Sequence, residues 1–166
     1  FGVLFRISIL YPSYANGFPP AYDGYVHAGS AYLIAKGGLE ASPTSRVYPP
    51  IFLLFLAFLY EVSGIHPIFL IIPVGIAIEV LYVPLMFYIT FRISGNRIIM
   101  GYLAAFFQSI NPLTIVTLIS GSIPALLAIL GFLFIICILV SDLRNKPVAI
   151  VPLGLLGALI LLTNIL

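Results

Sequence analysis

Charge is what this sequence most lacks: Asp, Glu, Lys and Arg make up 7% of its 166 residues, against about 25% in a typical soluble domain. So little charge cannot clothe a water-facing surface around a chain that is 62% hydrophobic. Excess charge of one sign is missing too. A net charge of +2 is far too small to hold a polyphosphate backbone by electrostatics, which argues against nucleic acid as a partner. Cysteine is nearly absent. The lone Cys137 cannot form an intrachain disulfide, and inside its apolar run it reads as a small buried hydrophobe. Internal repeats, low-complexity linkers and a recognisable signal peptide are likewise not found. The chain begins at Phe1 without Met and stops at Leu166 within an apolar run, so it is expected to be a piece of something longer.

Apolar runs are plentiful: Pro49–Ser63, Pro67–Thr90, Ile98–Ile110, Leu113–Ser120, Ile123–Val140 and Pro147–Leu166. As helices, Pro67–Thr90 and Pro147–Leu166 reach about 30 Å, the hydrocarbon thickness of a bilayer, and Ile123–Val140 nearly does. These are expected to span. Ile98–Ile110 is short alone and counts as one crossing if its helix continues past Asn111-Pro112 with a kink, which membrane helices tolerate. Pro49–Ser63 would cover only about 22 Å, opens on two prolines and carries Glu61 near its end. It is a poor spanner.

Basic residues in short loops favour the cytoplasmic side. Phe91–Arg97 carries Arg92 and Arg97, Ser141–Lys146 carries Arg144 and Lys146, and two crossings separate them. Both loops should lie on one cytoplasmic face, with Gly64–His66 on the other. The expected architecture is an all-α polytopic transmembrane helix bundle. Residues 1–11 would end a first spanning helix, 12–66 would form an extracytoplasmic loop with two short membrane-parallel helices, and 67–166 would hold the spanning helices.

Within that loop, Asp23 to Lys36 reads as a helix with Asp23 as N-cap, Lys36 in the last turn and Gly37 or Gly38 closing it. Asp23 and His27 are four apart and fall on one helical face beside Tyr22 or Tyr25. A carboxylate and an imidazole so placed can share a substrate; alternatively, Asp23 only caps the helix and His27 is a solvated interfacial residue. Downstream, Arg46-Val-Tyr48-Pro49-Pro50 uses paired prolines to stiffen the entry to an apolar helix, positioning Arg46 and Tyr48. Arg46 could fork onto two phosphate oxygens or remain a solvated interfacial cation. Glu79, near the middle of a span, should face the bundle, for a lipid or proton path or as a protonated acid hydrogen-bonded to a neighbouring helix. Gln108 and Asn111 read as interhelical hydrogen-bonding groups.

The order of these elements resembles the GT-C glycosyltransferases, a superfamily that includes the protein mannosyltransferases and aminoarabinose transferases. The shared features are an apolar end, Asp23 with His27, a Gly-Gly, Tyr48-Pro49-Pro50, an apolar bundle, and Asn111-Pro112 ahead of Gly121-Ser122-Ile123-Pro124. The resemblance covers nearly the whole chain, which would be the N-terminal part of such an enzyme. It implies an inverting transfer of a sugar from a polyprenyl-phosphate donor to a glycan, lipid or protein acceptor on the extracytoplasmic face of a membrane, most simply the plasma membrane. Asp23 would be the general base, with His27, Arg46 and Tyr48 binding substrate. The second acid carried by many members near Ser120–Pro124 is missing here, so a divalent metal is not supported and no cofactor is assigned. The alternatives are a transporter or channel subunit, with Glu79 and Pro73, Pro84 and Pro112 marking broken helices, or a non-catalytic relative of the GT-C proteins.

Overall fold

A computed structural model describes residues 4, 8, 22–43, 50–111, 113, 116–117, 122–142, 146 and 149–164. Helix accounts for nearly all of them, and no strand occurs among them. The longer helices among the described residues are α1 (Tyr22–Gly37), α2 (Pro50–Ser63), α3 (Pro67–Ile93), α4 (Ile98–Ser109), α5 (Ile123–Val140) and α6 (Ile150–Asn164).

Each boundary has a local cause. α1 starts two residues earlier than a cap at Asp23 would require, which puts Asp23 inside the first turn, where its charge meets the exposed N–H groups. It closes at Gly38, whose φ of 77° lies in the left-handed region and whose N–H donates to the Ile34 carbonyl at 2.8 Å. α2 opens on Pro50, a residue whose missing N–H is no loss in a first turn. A short turn follows, and His66 then caps α3 by accepting the Ile68 N–H on Nδ1 at 3.3 Å.

Among the described residues, α3 and α5 are the two helices long and apolar enough to cross a membrane. At 27 residues, α3 extends about 40 Å, enough for the hydrocarbon layer of about 30 Å with nearly two turns to spare. Of Pro147–Leu166, α6 is described over 15 residues, and residues 147–148 and 165–166 lie outside the described residues. α4 closes at Ser109, and Leu113, Val116 and Thr117 beyond the Asn111-Pro112 dipeptide are helical again, with Pro112 outside the described residues. Two local effects favour the break. The residue before a proline is driven out of the helical region, and the Asn111 side chain accepts the Leu113 N–H at 3.0 Å, a turn that competes with the helical ladder.

A single hydrophobic cluster joins α1, α2, α3 and α5. α1 gives Ala28, Ala31 and Ile34, a stripe at helical spacing, and α2 gives Phe52, Leu53, Leu56 and Ala57. Their partners are Ile71, Ile72, Ile78 and Tyr82 of α3, with Ile123, Leu126 and Leu130 of α5. The Tyr82 hydroxyl donates to the Leu126 carbonyl. α4 turns back on α3 through Gly95 and Asn96, both at positive φ, and seats Gly101 against Phe87. Outside this core lie many exposed apolar side chains, including Phe55, Phe58, Ile99, Phe106 and Phe132. Such a surface, with two helices of spanning length, supports membrane association.

Candidate functional site

The Asp23–His27 pair sits at the start of α1, where the chain folds over the first turns of α2. Asp23 is half-buried. His27 is only 2% exposed and meets the Phe52 ring edge-on at 5.7 Å between centroids. Phe52 follows Pro50 by two residues, so tertiary packing brings the Asp23–His27 face and the helix opened by the proline pair into contact. One turn on, the buried Ser30 hydroxyl donates to the Val26 carbonyl at 2.7 Å.

Burial decides the charge of His27. Loss of hydration lowers its pKa below the ordinary 6.5, and the opposing field of Asp23 is the smaller influence. The imidazole is therefore neutral at neutral pH, a hydrogen-bonding and packing group. This narrows the expected role of His27, since a neutral ring supplies no cation. Arg46 and Tyr48 lie outside the described residues.

Glu79 is fully buried in α3, facing the bundle as its midspan position requires. A separate cavity of about 410 Å³ lies between α3 and α4, lined by Met86, Ala104, Phe107, Gln108, Ile110 and Asn111. Neither Asp23 nor His27 lines it. Gln108 and Asn111 thus border a cavity beside α3. Among the described residues no group of three or more His, Cys, Asp or Glu side chains converges to hold a metal ion.

No family model, curated protein or solved structure matches this chain. The functional reading therefore rests on the residues themselves.

A further constellation escaped the sequence reading. Where α1 ends and α3 begins, the Lys36 ammonium lies 5.9 Å from the Tyr32 ring centre and 5.4 Å from that of Tyr60. The His66 ring stands 4.9 Å from Tyr32 and 6.4 Å from Tyr60. Tyr32 and Lys36 are four apart on α1, a pairing visible in sequence. Tyr60 and His66 join them only because α2 and α3 pack against α1.

Proposed function

We propose that this chain is part of a membrane glycosyltransferase of GT-C type, acting on a polyprenyl-phosphate sugar at the extracytoplasmic face, with Asp23 as general base. The observation that carries this reading is the contact between His27 and Phe52, which draws the two motifs of the resemblance, Asp23/His27 and the Pro-Pro helix, into one place. In the arrangement proposed, α3 and α5 cross the bilayer within a polytopic bundle. α1 and α2 rest along its outer boundary, and the Arg92 end of α3 faces the cytoplasm. The shortness of α2, 14 residues, supports that placement.

Chemically, Asp23 accepts the proton of an acceptor hydroxyl while that oxygen attacks the anomeric carbon. The bond between sugar and lipid phosphate breaks, its electron pair leaves with the phosphate, and the anomeric centre inverts. Buried and neutral, His27 holds the base against α2. The charge that stabilises the departing phosphate is assigned to Arg46, and Tyr48 is assigned to substrate binding. Replacing Asp23 by Asn keeps the shape and removes the base. Sugar transfer from a polyprenyl-phosphate donor should fall about 10²–10⁴-fold with membrane expression unchanged, and transfer at the native rate would refute the assignment.

The full burial of Glu79 inside a span-length helix favours a second reading, a transporter subunit with a midspan acid. Under it, Glu79→Gln abolishes substrate flux and Asp23→Asn leaves it intact.

A further inference from the structure

The Lys36 cluster is built from donors. The Lys36 ammonium has three N–H bonds and no acceptor. It lies 5.4 Å from the Tyr60 ring centre, beside a phenol hydroxyl that is able to donate as well as accept. His66 has its Nδ1 committed to the Ile68 N–H, so the neutral ring carries its proton on Nε2. Three donors of different kinds therefore gather beside the Tyr32 ring, one of them a full positive charge.

Position adds a second argument. His66 caps α3, and the next residue, Pro67, begins the longer of the two span-length helices. In the arrangement proposed above, this end lies at the depth of lipid headgroups, where Tyr rings and Lys side chains concentrate. Lys36 and His66 are exposed and Tyr60 is half-buried, so the donors are open to a ligand at that level. The carboxylate that bears on Lys36 is the exposed Glu61, the weakest of the influences on its pKa.

We propose that Lys36, Tyr60 and His66 form a binding site for a lipid headgroup phosphate at the membrane boundary, with Tyr32 as its ring wall. Phosphate oxygens are acceptors only, and a cluster that offers donors and one fixed cation favours them over cationic groups. The site rests on the membrane placement of α3 and is independent of sugar transfer. α1 carries it at the end opposite Asp23.

The test uses the full chain in mixed micelles of phosphatidylglycerol and phosphatidylcholine, with retained lipid counted by native mass spectrometry. The wild type should retain phosphatidylglycerol in preference. Lys36→Gln should weaken retention about tenfold, Lys36→Arg should restore it, and Glu61→Gln should strengthen it. Tyr60→Phe keeps the ring that packs against Lys36 and removes only the hydroxyl, so it should weaken retention severalfold with the melting temperature unchanged. A purely structural latch predicts the reverse for Tyr60→Phe. Equal retention by wild type, Lys36→Gln and Tyr60→Phe overturns the site, and so does displacement of the lipid by an excess of inorganic phosphate, which would assign the cluster to a soluble anion. Asp23→Asn should retain lipid like the wild type, so failure of the transfer reading and failure of this site are distinguishable.

Discussion

Arg92 and Asp142 meet at 2.6 Å although fifty residues separate them, and Arg92 Nε also donates to the Val140 carbonyl at 3.3 Å. This pairing ties the end of α3 to the end of α5 and puts the turn after Ile93 beside the one after Val140. Two apolar helices of spanning length therefore finish at the same level, with Arg97 and Lys146 close by in sequence.

That relationship yields a topology prediction. With Cys137 replaced by Ala, single cysteines at Arg97 and Lys146 should react with an impermeant maleimide only after permeabilisation, whereas one at the exposed Glu40 should react in intact cells. Ser42 is unsuitable for such labelling because it is 1% exposed. Opposite labelling of Arg97 and Lys146 would contradict the pairing. Asp142 is 89% exposed, so Asp142→Asn should alter stability by only about 0–1 kcal/mol.

His27 should make the protein acid-sensitive. Its folded pKa lies below 6.5, so as the pH falls from that value the unfolded chain takes up a proton that the folded chain refuses. Stability is unaffected by this group above pH 6.5, declines as the pH drops toward the folded pKa, and levels off below it. Melting temperatures across this window should show the decline in the wild type, and His27→Phe should flatten it. An unchanged acid slope in His27→Phe would place the sensitivity elsewhere.

Gly101 permits the close approach of α4 to α3. A Cβ there would stand 2.8 Å from the Phe87 ring and 3.1 Å from the Phe87 carbonyl oxygen. The ring can swing aside and the backbone cannot. Gly101→Ala should therefore destabilise the protein by about 1–3 kcal/mol, and Phe87→Ala in the same chain should recover only part of that loss. A thermal melt of the single and double variants measures both, and full recovery would show that the carbonyl contact is unimportant.

Tyr82 binds α3 to α5 through its hydroxyl on the Leu126 carbonyl. Tyr82→Phe keeps the buried ring and removes one donor, so its expected cost is about 0.5–1.5 kcal/mol. Tyr82→Ala also opens a cavity in the shared core, for about 3–5 kcal/mol. Chemical unfolding in detergent should separate the two, and similar losses from both would mean that the hydroxyl carries most of the effect.

Helix ends were largely legible, because caps and breaks act within a turn of the chain. Pro50 at the start of α2, Gly38 after α1 and Pro67 at the head of α3 each fall where the residue type allows little else. Asn111 is instructive in the other direction. Its dipeptide with Pro112 allows either a kinked continuation or a stop, and the side-chain bond to Leu113 accompanies an interruption at Asn111. For the candidate site, four-residue spacing put Asp23 and His27 on one face but left open what that face meets. Phe52 supplies the answer, and with it the neutrality of His27.

By itself the sequence determined a helical, charge-poor chain with segments of membrane-crossing length and with turns at its glycines and prolines, since these follow from composition and from interactions within a few residues. Only the tertiary structure decided which helices are neighbours: His27 against Phe52, Tyr32 against Tyr60 and His66, Arg92 against Asp142. The reason is physical. A helix such as α5 is apolar on every side, so its periodicity names no preferred face, and its partners are selected by shape and by single polar contacts between residues far apart in the chain.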